Sequence, residues 1–142
     1  MLKQDETFFT TIGCMDGRVQ KPIAEFGQKK FNARFPDTIT EAGLVGKLTK
    51  DSPDQGLLGS IKNKLDISLE KHHSRGIIVH GHQECAGNSV DDEKHKDDIK
   101  KSVEVIKSLI NSSVPVVGVF VKHSQNNSSI WEVEEISSTV LV

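Results

Sequence analysis

Two short β-prone runs in this chain end in the same way, and that coincidence limits the fold more than any other feature. Residues 7–12 (Thr-Phe-Phe-Thr-Thr-Ile) stop at Gly13 and open into Cys14-Met15-Asp16-Gly17-Arg18. Ile77-Ile78-Val79 opens into His80-Gly81-His82-Gln83-Glu84-Cys85. These two loops hold the only two cysteines of the chain. A fold that uses them together must set two strand ends side by side, as a parallel sheet with crossover helices does. Neighbouring parallel strands lie about 4.8 Å apart, close enough for the loops leaving them to share one ion.

The rest of the chain fits that plan. A short helix is expected over 21–28 with Pro22 in its first turn, then a half-buried strand from Phe31, Ala33 and Phe35 closed by Pro36-Asp37. Residues 38–46 read as a loop or short helix. Ser52-Pro53-Asp54-Gln55 reads as a helix start with Ser52 as cap, and Leu57, Leu58, Ile61, Leu65 and Leu69 follow on one face. Arg75-Gly76 ends that helix, and Ile77-Ile78-Val79 is expected as a central strand covered on both sides. A second long helix, capped by Ser89, carries Ile99, Val103, Ile106 and Ile110 on one side. Residues 114–121 form another buried strand, and 130–136 an edge strand paired with it in a hairpin. The expected fold is α/β: a mostly parallel central sheet of four to five strands flanked by helices, in a single domain over 1–142.

Composition narrows the function. Aromatics make up only 5% of residues, so the core must rest on Ile, Val and Leu, and a thin core suggests burial against a second copy. A net charge of −2 gives no electrostatic footprint for nucleic acid. The run 91–98 mixes both signs and reads as a solvated helix start. The first residues lack an apolar signal region and no stretch is long enough to span a bilayer, so no membrane partner is expected. Two cysteines without a secretory signal point to a reducing, cytoplasmic setting, where such a pair binds metal or reacts more often than it bridges. A Cys14–Cys85 disulfide is the alternative.

Two thiolates and an imidazole with one open position form a known catalytic zinc set, here Cys14, His82 and Cys85. Bound Zn²⁺ lowers the pKa of a coordinated water to roughly 7–9 and supplies hydroxide for a small electrophilic carbon. Gly81 and Gly87 would free the second loop to turn. Asp16 and Arg18 would point the same way on an extended backbone. Paired with Arg18, Asp16 stays ionised and orients the hydroxide; unpaired, it becomes a conditional fourth metal ligand. The plainer readings are buried structural thiols and a structural ion pair. His80 is either a rival ligand or a core histidine; His72, His73, His95 and His123 read as surface residues, and Trp131 as packing or a dimer contact. Cys14 and Arg18 are too close for a phosphatase loop, and no Cys-x-x-Cys is present.

Cys14-x-Asp16-x-Arg18 with His82-x-x-Cys85 resembles the β-class carbonic anhydrases, over roughly residues 7–136. The resemblance implies zinc held by Cys14, His82 and Cys85, an Asp16–Arg18 dyad orienting the fourth ligand, and at least a homodimer. It implies reversible hydration of CO₂ to bicarbonate by zinc-bound hydroxide. The same ligands support hydrolysis of carbonyl sulfide or carbon disulfide, and a zinc-binding relative without hydratase activity is the non-enzymatic alternative. The chain departs from that family in lacking an N-terminal helical arm. It reads Thr40-Glu41-Ala42-Gly43 where an Arg-Asn-Ala-Gly-like stretch is usual, and Ala86-Gly87 after Cys85.

Overall fold

The computed structural model describes residues 2–136. Five strands and four helices follow one another in it: β1 (Phe8–Gly13), α1 (Gly17–Phe31), β2 (Phe35–Thr40), α2 (Leu44–Leu48), α3 (Gln55–Glu70), β3 (Ile77–His82), α4 (Asp92–Leu109), β4 (Val116–His123) and β5 (Trp131–Glu135). The sheet runs β2-β1-β3-β4-β5. The first four strands are parallel, and β5 returns antiparallel beside β4. This is the mostly parallel α/β sheet expected, including the closing hairpin.

Both faces of the sheet are buried, which is why β3 can be apolar along its length. Every residue of β3 is buried. One face packs Ile12, Ile77, Val79 and Phe120 against Leu44, Leu48, Ile61, Leu65, Ile99 and Ile106 from α2, α3 and α4. On the other face, Phe9, Ile78, Val119 and Val121 meet Val19 and Ile23 of α1. Alternation along β3 sends Ile77 and Val79 to the first face and Ile78 to the second. Fully burying one such side chain is worth about 1.5–3 kcal/mol.

Several local expectations give way to capping chemistry. Helix α1 starts at Gly17, not at residue 21, because the Asp16 carboxylate caps it by accepting the Arg18 N–H. Pro22 therefore lies inside the helix, where it has no N–H to offer the Arg18 carbonyl. Phe31 ends this helix rather than beginning a strand: Asn32 takes a left-handed conformation and its neighbour Ala33 bonds back to Gln28 O. Strand β2 then starts at Phe35. Asp54, not Ser52, caps α3 by accepting the Leu57 N–H at 3.1 Å, and Asp91, not Ser89, caps α4. The 38–46 stretch resolves into the end of β2 and the short helix α2.

A candidate metal centre at the strand ends

β1 and β3 are hydrogen-bonded neighbours, with Gly13 beside His80. Their carboxyl ends therefore release Cys14 and the turn after His82 at one edge of the sheet. There the side chains of Cys14, His82 and Cys85 converge, with one ligand atom from each within 4.8 Å of the others. All three are buried. The cysteines are free thiols, and their sulfurs lie 3.7 Å apart. Two thiolates each about 2.3 Å from a tetrahedral ion would stand roughly 3.8 Å apart, so this spacing suits one shared ion.

The histidine is prepared as a ligand. His82 Nδ1 lies 2.6 Å from Gln83 O, an acceptor only, so that nitrogen carries the proton. Nε2 is left with its lone pair, fully buried and without a partner among the described residues. An unpaired buried polar atom costs about 1–3 kcal/mol, a cost that a metal at this point would remove. His82 is surrounded by aromatic rings, with His95 at 6.4 Å and Trp131 at 6.3 Å between centroids.

The thiols are biased toward ionisation unequally. Burial opposes the Cys14 thiolate, but the adjacent His82 imidazole, the Gly43 and Asp16 backbones and the Cys85 thiol outweigh it, lowering its pKa to about 6. The Gly43 N–H lies 3.5 Å from the sulfur. Burial together with the nearby Cys14 pushes the Cys85 thiol up. Burial also opposes the charged form of His82, yet the Cys14 thiolate and the Gln83 carbonyl raise it overall. This is the response of a base that shares a site with an anion.

Asp16 faces the cluster from the side. Its Oδ2 is 3.9 Å from His82 Nε2 and 2.7 Å from Arg18 Nη2, and Arg18 Nε reaches both carboxylate oxygens at 3.1 and 3.3 Å. The Arg18 hydrogen bond is the main reason the Asp16 pKa falls to about 2. The pair forms across the helix cap rather than along an extended backbone, since Arg18 already lies in the first turn of α1. Gln20 Nε2 ties down both loop carbonyls, Cys14 O at 2.9 Å and Asp16 O at 2.8 Å.

The second loop turns by other means than its glycines. Glu84, not Gly81 or Gly87, takes the left-handed conformation, with φ 56. Gly87 is needed for close approach instead: a Cβ there would meet Ala42 C and Gly43 N at 2.7 Å. Gly43, with φ 62, is pressed just as closely, a Cβ meeting Gly87 O at 2.2 Å. The two loops thus dock backbone to backbone, which holds the Gly43 N–H at Cys14.

Among the other histidines, His80 is fully buried against Gly13 with neither ring nitrogen partnered among the described residues, and burial lowers its pKa to about 3. It is a core histidine and lies outside the ligand cluster. His95 is buried too, contrary to the surface position expected for it, and it packs against Phe120 and Gly81. Its helix turns this one member of a charged run inward, along with Asp98. His73 is exposed, and His72 is half-buried with its Nδ1 2.7 Å from Asp37. Trp131 packs beside the cluster: His123 lies tilted against it, with ring centroids 4.0 Å apart, and the Arg18 guanidinium lies 5.1 Å from its ring.

A mostly parallel sheet with a Cys-His-Cys cluster and an Asp–Arg pair at its strand ends defines a metal-capable α/β protein of carbonic anhydrase type. A family profile described as "Putative carbonic anhydrase" matches residues 4–137, and the chain belongs to that family. The fold is that of β-carbonic anhydrases. The Trichomonas vaginalis β-carbonic anhydrase isoform I superposes with a TM-score of 0.58 at 15% identity, over 95% of this chain and 85% of that one. The Streptococcus mutans carbonic anhydrase gives 0.59 at 16% identity, over 95% and 84%. The Aspergillus fumigatus β-carbonic anhydrase CafA gives 0.53 at 11%, over 96% and 78%. No curated protein matches the sequence significantly. No helix among the described residues is long and apolar enough to cross a membrane.

Proposed function

We propose that this chain is a zinc lyase that converts CO₂ and water reversibly to bicarbonate and a proton. The observation that carries the reading is the buried Cys14–His82–Cys85 cluster with an ionised carboxylate, Asp16, at its side. Cys14, His82 and Cys85 would hold Zn²⁺, the borderline-soft ion that two thiolates and an imidazole favour. When bound there, zinc supplies a Lewis acid that brings the pKa of a coordinated water near neutrality. Asp16 accepts a hydrogen bond from the attacking water and aims its lone pair at the carbon of CO₂. Arg18 keeps that carboxylate charged and holds it at the side of the ligand cluster.

We further propose that the chain works as one domain, in the cytoplasm, and as a homodimer. The outer edge of β2, with Phe35 and the nearby Ile67 exposed, is the uncovered flank that suggests a second copy. Sedimentation at micromolar concentration tests the dimer, and a monomer would refute it. Stopped-flow CO₂ hydration across a pH series, with zinc content measured on the same sample, tests the activity. Turnover that scales with zinc content is expected; full zinc with no hydration at any pH would refute the reading.

A further inference from the structure

Arg18 is held from two sides, and only one of them belongs to the first motif. Its Nη1 lies 3.1 Å from Glu84 Oε1 and its Nη2 3.2 Å from the Glu84 carbonyl. Glu84 sits between His82 and Cys85 with φ 56, a conformation that costs a side-chain-bearing residue free energy. That backbone state allows its carbonyl and its carboxylate to face the same guanidinium. Its other oxygen, Oε2, lies 3.1 Å from His123 Nε2. His123 is fixed in turn by its Nδ1 at 2.6 Å from Ser128 O and by its tilted contact with the Trp131 ring. Arg18 therefore divides one positive charge between two carboxylates, Asp16 and Glu84, and His123, as an imidazolium whose Nδ1–H is taken by Ser128 O, competes with it for Glu84 through Nε2–H.

We propose that Glu84 is a positioning residue that sets how often Asp16 leaves Arg18 for the metal cluster, with His123 tempering its pull. This rests on the metal reading above. With Glu84 charged, Arg18 keeps a counter-ion when Asp16 departs, so departure is easier. Removing the Glu84 charge leaves Asp16 as the sole carboxylate on Arg18 and holds it away from the cluster. Removing the His123 ring turns the Glu84 charge more fully onto Arg18 and loosens Asp16. The two changes act in opposite directions, which a general loosening of the site would not do.

The test uses Co²⁺-loaded protein and azide, an anion that competes with Asp16 for the open coordination position, read from the visible absorption at fixed pH. Glu84→Gln should tighten azide binding by about two- to fivefold, the range for a partly exposed charge, and His123→Ala should weaken it by a similar factor. Unchanged affinity in both variants, or shifts of the same sign, would overturn the proposal. If the parent protein gives no thiolate-to-cobalt charge-transfer band, the metal reading falls and takes this inference with it. If the band is present and the affinities do not diverge, only the role of Glu84 is refuted.

Discussion

Two polar clusters are buried against β1, and they differ in what they lack. Beside its amino-terminal half, Thr10 Oγ1 lies 2.7 Å from Ser68 Oγ and 2.8 Å from Ser74 Oγ. Ser68 donates to Asp37 at 2.7 Å, Ser74 donates to Gly76 O, and His72 completes the chain at Asp37. Every side chain of that cluster has a protein partner. At the carboxyl end of the same strand, Cys14, Cys85 and His82 converge, with the His82 Nε2 unpartnered among the described residues. A satisfied cluster fixes the fold; an unsatisfied one of thiols and imidazole has the donor set that could hold a metal ion.

The largest expected effect separates the two clusters outright. Cys85→Ser should abolish stoichiometric zinc binding, measured by mass spectrometry of metal content, while leaving the helical signal in circular dichroism intact. Retained zinc would dissolve the contrast. Asp16→Asn keeps the helix cap but loses the charge, and should lower CO₂ hydration by roughly 10²–10⁴-fold at unchanged zinc content. Equal turnover in parent and variant would reduce the Asp16–Arg18 pair to a structural one.

Smaller effects should fall on stability. Thr10→Val deprives Ser68 and Ser74 of a partner and should cost about 1–3 kcal/mol in denaturant unfolding without changing zinc content. Gly43→Ala should cost about 1–3 kcal/mol and also weaken zinc binding, because φ 62 and the contact with Gly87 O oppose a Cβ there. If Gly43→Ala leaves zinc affinity untouched, the docking of the two loops does not govern the ligands.

The smallest effect concerns pH. The Asp16 pKa is depressed to about 2 from an ordinary 3.8, so its ion pair with Arg18 stabilises the metal-free protein above the ordinary value. That contribution is lost as the pH falls through about 2. Carboxyl NMR titration of metal-free Arg18→Gln should show Asp16 titrating closer to the ordinary range. An unmoved midpoint would mean that Arg18 is not the main cause.

The sequence reveals the site better than it reveals its surroundings. Cys14, His82 and Cys85 are legible because each follows a β-prone run whose apolar residues fix its place in a sheet. Asp16 and Arg18 are legible as a pair, but the cap that joins them was not, since Gly17 reads as loop before Asp16 is seen capping a helix. Alternating Phe31, Ala33 and Phe35 imitate a strand, while a left-handed Asn32 divides helix from strand between them. His95 hides in a charged run whose helix turns it inward. Glu84 carries no sequence mark for its positive φ, so its hold on Arg18 emerges only when the two loops meet.

Zinc K-edge X-ray absorption on the purified, zinc-loaded protein tests the central claim most directly. The account predicts one zinc per chain with two sulfurs at about 2.3 Å, one imidazole nitrogen at about 2.0 Å and one further light-atom ligand. A shell without sulfur, or a protein that refuses zinc because Cys14 and Cys85 are bonded to each other, would contradict it.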